Sequence, residues 1–136
     1  MRRIPGRNPE QSWTGTSLMM RVSIPWHPED APDGSLLCVV SRDISLKSWG
    51  IDAIMPAGFK SDGMSVPRFF WRFIGPRIDG TTIGPAIVHD WLYQTHLLTR
   101  RQADRWLFRA LRANGYPAEK SCLVYCGVRI GGFSHW

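Results

Sequence analysis

The sequence predicts an α+β fold, with a small antiparallel β-sheet in the N-terminal half followed by a C-terminal part of three to four helices that includes an antiparallel helix hairpin. The length of 136 residues suits a single domain. A content of 43% apolar and 21% charged residues is typical of a globular chain. Near the middle of the chain the apolar residues change from a strand-like spacing to a helical one, which indicates strands first and helices afterwards.

The predicted organisation is an irregular arm followed by one folded domain. Residues 1–34 are rich in proline, glycine and polar residues, and they predict the arm, with one strand allowed at 18–24. A single α+β domain is expected over 35–136, with its sheet within 35–60 and its helices within 65–132.

Two apolar segments predict the strands of the sheet. Residues 36–40 (LLCVV) predict a buried strand. Residues 44–54 alternate in part, and they predict either one strand or two strands that meet at Gly50. Residues 55–58 (MPAG) predict a turn.

Four helices are expected from their end signals. Ser65 and Pro67 predict an N-terminus for a helix over 65–74, and Thr99 with Gln102 predicts a capping box at the start of a later helix. Gly115 predicts the end of that helix. The remaining predicted elements are a glycine-rich loop at 75–84, a helix over 85–95 and a helix from Pro117 to about 131.

The net charge of +6 is concentrated in the second half of the chain. Residues 1–68 hold eight basic and seven acidic residues, whereas residues 69–136 hold nine basic and four acidic ones. Arg101, Arg105, Arg109 and Arg112 form one stripe on a predicted helix whose opposite stripe is apolar. The pattern is typical of a solvated face; the alternatives are contact with phosphates of lipid or nucleic acid, or with an acidic partner. No recognised nucleic-acid module is present, so no specific nucleic-acid recognition is expected.

Membrane insertion and disulfide bonding are both expected to be absent. The first twelve residues carry three arginines and no apolar stretch, so no secretory leader is expected. No apolar run approaches the roughly 18–20 residues that a transmembrane helix requires. The odd number of cysteines, Cys38, Cys122 and Cys126, predicts three reduced thiols in the core.

A histidine and an aspartate are expected to meet across the helix hairpin. His89 lies eight residues before Leu97, at the centre of the link, and Asp104 lies seven after it, so both fall at the same level. An imidazole facing a carboxylate is a base with its orienting partner. Tyr93 is one turn after His89, and its hydroxyl could reach Asp104. The alternative is a polar cluster that pins two helices together without chemistry.

Asp90 is expected to point in a neighbouring direction, toward the glycine-rich loop. A carboxylate beside free backbone carbonyls is a plausible set of oxygen ligands for calcium. The sequence therefore allows a metal site next to His89, with Asp90 as one of its ligands.

Short motifs follow one another in a fixed order over residues 55–130: Pro56-Ala57-Gly58-Phe59, Ser61-Asp62, Ser65-Val66-Pro67-Arg68, His89-Asp90-x-Leu92-Tyr93 and Arg101-x-Ala103-Asp104. This series resembles an uncharacterised family of small proteins encoded by tailed bacteriophages and prophages. The resemblance implies a phage origin and singles out Asp62, Ser65 and Arg68. Ser65 is expected to cap a helix, and Asp62 either braces the same turn or lies near His89.

A second set of residues comprises Gly75-Pro76, Asp79-Gly80, Pro85, His89-Asp90-x-x-Tyr93 and Ala103-Asp104. It resembles the phospholipase A2 pattern, particularly its viral capsid form. The resemblance implies Ca²⁺ as cofactor, held by Asp90 together with the loop at Gly75, Asp79 and Gly80. It also implies His89 as the base, Asp104 as its orienting partner and Tyr93 as the group that holds Asp104. The chain lacks the disulfides of the secreted enzymes, and its loop (GPRIDGTTIG) lacks their glycine spacing.

Two functions are expected from these features. The first is a small virion- or tail-associated protein with a structural or morphogenetic role, made in the host cytoplasm and assembled with other phage structural proteins, in which the His/Asp site is the possible chemistry. The proline-rich arm and the tryptophans outside the helices, including the terminal Ser134-His135-Trp136, favour such docking. The alternative is a calcium-dependent, phospholipase A2-like hydrolase that acts on anionic phospholipid or another component of the host envelope.

Overall fold

The computed structural model describes residues 20–61, 80–131 and 136. Over these residues the strands precede three helices, so the predicted α+β order is confirmed. The helix predicted over 65–74 and most of the glycine-rich loop lie outside the described residues. The elements are β1 (Trp26–Asp30), β2 (Leu36–Val40), β3 (Ile44–Ser45), a 3₁₀ turn (Lys47–Trp49), β4 (Ile54–Met55), β5 (Lys60–Ser61), α1 (Ile83–Thr95), α2 (Arg100–Ala113) and α3 (Ala118–Gly131).

The larger sheet has β2 at its centre. Its order is β1-β2-β5 with antiparallel pairing throughout, and Cys38 of β2 lies opposite Pro28 on one side and Ser61 on the other. The last three residues of β2 are buried, as expected for a strand with neighbours on both edges.

A second, two-stranded ladder pairs β3 with β4. The 3₁₀ turn between them ends at Gly50, which adopts φ 85°. Glycine suits this left-handed conformation because it has no Cβ. Of the two predictions for residues 44–54, the one with two strands is correct in number, but the strands do not meet at Gly50, because the 3₁₀ turn and the residues after it separate them.

Strand β1 corrects the predicted boundary of the arm. Residues 26–30 were expected to be irregular, yet they form an edge strand that pairs with β2. The sequence of β1 shows no alternation because four of its five residues are exposed, and Pro28 is tolerated at an edge position. The strand allowed at 18–24 is not formed over its described part, residues 20–24, although Val22 and Ile24 are buried there.

The lead-in segment, residues 20–25, is fastened to the helices by Asn114. The backbone N–H of Val22 donates to Asn114 Oδ1 at 2.7 Å, and Asn114 Nδ2 donates to the Val22 carbonyl at 2.9 Å. A Cβ at Gly84 would lie 2.7 Å from that same carbonyl oxygen, so the absence of a side chain there allows the two backbones to touch. The folded unit thus includes the lead-in segment.

The three helices begin and end close to their predicted positions. Helix α1 begins at Ile83, two residues before Pro85, which occupies its first turn. Helix α2 has the predicted capping box between Thr99 and Gln102, and the chain leaves it through Gly115 at φ 86°.

Helix α2 lies between α1 and α3 and packs against both. Its apolar stripe is buried as predicted, and its arginine-bearing face is exposed. Trp106 and Ala110 join the core that α1 forms with the strands, whereas Leu107 and Leu111 pack with Val124 of α3.

The cysteines are free, but only one of them lies in the core. Cys38 is buried, whereas Cys122 and Cys126 are exposed. The expectation of three core thiols is wrong for this pair because α3 buries the face that carries Ser121, Val124 and Val128. Over the described residues, no helix has the length and apolar character needed to cross a membrane.

Candidate functional site

His89 and Asp104 meet in the seam between α1 and α2. His89 Nε2 lies 2.8 Å from Asp104 Oδ1, and the exposed fractions of the two side chains are 5% and 0%. The short link after α1 turns the chain back through His96, which adopts the left-handed conformation at φ 55°. The hairpin geometry predicted from the sequence therefore brings these two side chains together.

Tyr93 contacts the same carboxylate oxygen. Its hydroxyl donates to Asp104 Oδ1 at 2.6 Å, and its ring centroid lies 4.4 Å from that of His89. One helical turn separates Tyr93 from His89, so both side chains leave α1 on the face toward α2.

Arg129 completes the contacts of Asp104 and was not predicted from the sequence. Its Nη1 donates to Asp104 Oδ2 at 2.8 Å, and its side chain is 29% exposed. Arg100 lies beside it and donates to the carbonyls of Val128 and Arg129 at the C-terminal end of α3. The sequence signal was a basic residue in the last turn of a predicted helix, which does not reveal the packing of α3.

The electrostatics favour a charged carboxylate and a neutral phenol. Burial alone would raise the pKa of Asp104, but hydrogen bonds from His89 and Tyr93, with further help from Arg129, hold it below its ordinary value. Burial and the bond to Asp104 raise the pKa of the Tyr93 hydroxyl well above its ordinary value.

The ionised carboxylate also determines which ring nitrogen of His89 donates. A carboxylate only accepts hydrogen bonds, so Nε2 carries a proton, and the tautomer of the neutral imidazole that fits this contact has its lone pair on Nδ1. Among the described residues, no hydrogen bond to Nδ1 is formed. The arrangement is that of a base with an orienting partner.

Asp90 lies on the other side of α1, against the sheet. It is half-buried, and its Oδ2 accepts a hydrogen bond of 2.6 Å from the Ser61 hydroxyl on β5. This contact joins α1 to β5. Most of the glycine-rich loop that Asp90 is predicted to face lies outside the described residues, so that prediction stays a prediction.

The other residues of the predicted calcium site are mostly outside the described residues. Gly80 is an exposed turn residue shortly before α1. Over the described ranges, no group of three or more His, Cys, Asp or Glu side chains could hold a metal ion. Two predicted calcium ligands, Gly75 and Asp79, fall outside the described ranges. So do the motif residues Asp62, Ser65 and Arg68.

Trp136 packs on its own chain at the end of α1. Its ring stacks on His96 with centroids 3.9 Å apart and meets the edge of Tyr93 at 5.1 Å. Its ring thus contacts Tyr93 of the Asp104 cluster, while 37% of the residue stays exposed. The predicted docking role of Trp136 stays a prediction.

The fold and the site define a small α+β domain in which buried His, Asp and Tyr side chains form a cluster with a partly exposed Arg. Residues 40–128 match the family described as "Protein of unknown function (DUF1353)", and the chain belongs to this family. The matched region holds His89, Tyr93 and Asp104 and ends one residue before Arg129.

Two relatives from Sinorhizobium fredii (strain NBRC 101917 / NGR234) are similar to the chain. It is 31% identical over 83 residues to "Uncharacterized protein y4jT", covering 61% of this chain and 25% of the relative. It is 29% identical over 73 residues to "Uncharacterized protein y4iH", covering 54% of this chain and 30% of the relative. The chain thus spans about a quarter to a third of the length of these relatives. No solved structure matches the chain at a significant level.

Proposed function

We propose that the chain is a hydrolase in which the His89–Asp104 pair activates water. The observation that carries the proposal is the 2.8 Å contact between His89 Nε2 and a fully buried Asp104 carboxylate. Such a contact holds the imidazole in one tautomer with Nδ1 as the proton acceptor.

The reaction that we propose for this activated water is the hydrolysis of an ester, as the phospholipase A2 resemblance implies. His89 Nδ1 removes a proton from water while the water oxygen attacks the carbonyl carbon of the ester. The imidazolium that forms is stabilised by the negative charge of Asp104. When the intermediate collapses, the same proton passes to the leaving alkoxide, and the products are a carboxylic acid and an alcohol.

The substrate and cofactor of the proposal come from the phospholipase A2 resemblance. It suggests the acyl ester of a phospholipid in the host envelope, with calcium as the cation that stabilises the developing oxyanion. Asp90 fits this part, because a carboxylate is a ligand that calcium prefers. The water-activation step as proposed uses only His89 and Asp104. The assay is therefore run both with and without calcium.

The test is acyl ester hydrolysis in mixed phospholipid–detergent micelles, with and without calcium, by the wild-type chain and two histidine variants. We expect His89→Gln to lose activity by a factor of about 10² or more, because glutamine cannot take the proton. His27→Ala is the matched control, since His27 is exposed on β1 and contacts Ser41. Circular dichroism checks that each variant is folded.

Three outcomes decide the hydrolase proposal. Loss in His89→Gln with full activity in His27→Ala supports it. Equal activity of His89→Gln and the wild type, or no ester hydrolysis by the folded wild type under either calcium condition, contradicts it. Activity that requires calcium in the wild type and is lost in Asp90→Asn would support the calcium part.

The second candidate function is a structural role in a phage virion or tail. Both oxygens of Asp104 are occupied by donors from α1 and α3, as in a cluster that fixes helix packing, which favours a structural cluster over a catalytic one; the phage role itself comes from the resemblance to the phage-encoded family. We propose other phage structural proteins as its partners and the assembled particle as its location. Mass spectrometry of purified particles from an induced host would detect the chain if this is correct. Its absence from particles that are otherwise complete would contradict the role.

A further inference from the structure

The exposed face of α2 carries four arginines in a row. Arg101, Arg105, Arg109 and Arg112 are all exposed and recur at i, i+4, i+8 and i+11; we call them the arginine stripe. With a rise of about 1.5 Å per residue, the stripe extends over roughly 16 Å of helix.

Few carboxylates offset the charge of the arginine stripe. Residues 80–131 hold seven basic and three acidic residues; of the acidic ones, Asp104 is buried, Asp90 is half-buried and Glu119 is exposed. In the described part of the chain, the ion pairs of basic residues with carboxylates use Lys47, Lys60, His89 and Arg129, and none uses the stripe. Over residues 20–61 the balance is reversed, with four basic and five acidic residues. In the described part of the chain, the exposed face of α2 therefore presents concentrated positive charge.

The backbone beneath the stripe is rigidly held. The opposite face of α2 is buried, and its N-terminus is closed by the Thr99–Gln102 capping box. Arg112 is further fixed by a 2.6 Å hydrogen bond from its Nη1 to the Tyr116 carbonyl. Little backbone order must therefore be gained on binding, which lowers its entropic cost.

The residues around the arginine stripe help to decide whether its partner is a membrane surface or a nucleic acid. A helix that binds a membrane surface inserts an apolar face beside its charged one, but the apolar face of α2 is buried in the core. The exposed large apolar residues of the described chain lie outside α2, at Met20, Leu36, Ile54, Ile130 and Trp136. Reading the bases of a duplex requires an element that enters a groove. Helix α2 is flanked by α1 and α3, so it is not free to enter a groove as a separate element.

We propose that the arginine stripe binds the phosphodiester backbone of a nucleic acid without reading its base sequence. One DNA strand carries a phosphate about every 3.4 Å along the axis, so a stripe of about 16 Å runs beside roughly five phosphates. Arginine suits this role because its planar guanidinium pairs with phosphate through two donors. This function goes beyond the proposed hydrolase and does not depend on it.

The test is fluorescence anisotropy of the full chain with a labelled 30-base-pair DNA duplex of arbitrary sequence, over a series of salt concentrations. Four phosphate contacts predict that log K falls with log salt at a slope of about −3.6. Two charge reversals in Arg105→Glu/Arg109→Glu are expected to weaken binding about tenfold or more at low salt and to flatten the slope. The matched control is Arg42→Glu/Lys47→Glu, which makes the same change of net charge at exposed residues of the strand half.

The outcomes separate the stripe from general attraction by a basic protein. Strong loss in the α2 variant, little loss in the matched control and retained binding in Arg105→Lys/Arg109→Lys support the proposal. Equal loss in both charge-reversal variants, or no binding by the wild type at low salt, overturns it. So does binding to vesicles of anionic phospholipid that outcompetes the duplex, since the partner would then be a membrane. His89→Gln should bind DNA as the wild type does, so failure of either function is seen separately.

Discussion

At the scale of single residues, Asp104 determines the properties of the candidate site. A fully buried carboxylate is costly unless it is paired and hydrogen-bonded. Asp104 meets this condition because His89 and Tyr93 reach one oxygen and Arg129 reaches the other. The price of burial is thereby offset, and the charge that orients the imidazole is preserved.

The lowered pKa of Asp104 predicts a loss of stability in acid. Below about pH 4 the unfolded chain binds a proton on this aspartate while the folded chain does not, so protonation favours unfolding. The free energy of unfolding should therefore fall as pH drops from about 4 through the lower pKa of the folded state. Urea titrations of the wild type and Asp104→Asn between pH 2 and 7 measure this.

The Asp104→Asn variant should be less stable at neutral pH but less sensitive to acid. Its curve should be flatter than that of the wild type below pH 4, because asparagine does not titrate. Asp52→Asn, which removes one partly exposed carboxylate, serves as the comparison. Parallel acid limbs for Asp104→Asn and the wild type would show that Asp104 does not carry this dependence.

At the scale of elements, end signals made the helices predictable. Thr99 with Gln102, Gly115 and Pro117 mark helix ends by local chemistry, which does not depend on the rest of the fold. The hairpin followed from them, and with it the meeting of His89, Tyr93 and Asp104. Strand β1 could not be found in this way, because it exists through pairing with β2 and buries almost nothing of its own.

Tertiary packing accounts for the residues that were missed or misplaced. Arg129 reaches Asp104 only because α3 packs beside α2, and the sequence does not specify that packing angle. The exposure of Cys122 and Cys126 could not be predicted, because the apolar residues of α3 surround the helix without a clear stripe to identify its buried face. The contact of Asp90 with Ser61 was not predicted, because it depends on where β5 lies relative to α1.

The capping box of α2 should contribute measurably to stability. Thr99→Ala removes the side chain that accepts from the Gln102 backbone N–H, and it should cost about 1 kcal/mol. Thr99→Ser keeps the hydroxyl and should restore most of the loss. Thermal unfolding followed at 222 nm compares the three proteins. An alanine variant as stable as the wild type would mean that the cap contributes nothing to α2.

At the scale of the whole molecule, the first described residues belong to the core. Val22 is 2% exposed and Ile24 is 5% exposed, and Asn114 binds both the N–H and the carbonyl of Val22. The segment before β1 therefore connects the strand half of the chain to the helices, and the folded unit depends on it.

A pair of truncations tests this dependence. A chain that begins at Trp26 should be less stable than one that begins at Met20 by at least about 3 kcal/mol, since it loses the burial of two branched apolar side chains. It also leaves Asn114 without its Val22 partners. Denaturant unfolding of the two truncated chains measures the difference. Equal midpoints and slopes for the two chains would show that residues 20–25 do not contribute to the stability of the fold.

The backbone contact at Gly84 links the lead-in segment to the orientation of the His89 side chain. Gly84 precedes His89 by five residues on the same helix, and it touches the Val22 peptide closely enough that a methyl group would not fit. Whatever pushes α1 away at Gly84 must also turn or shift it at His89, where a contact of 2.8 Å tolerates little movement. The orientation of the imidazole is thus sensitive to a position that never touches it.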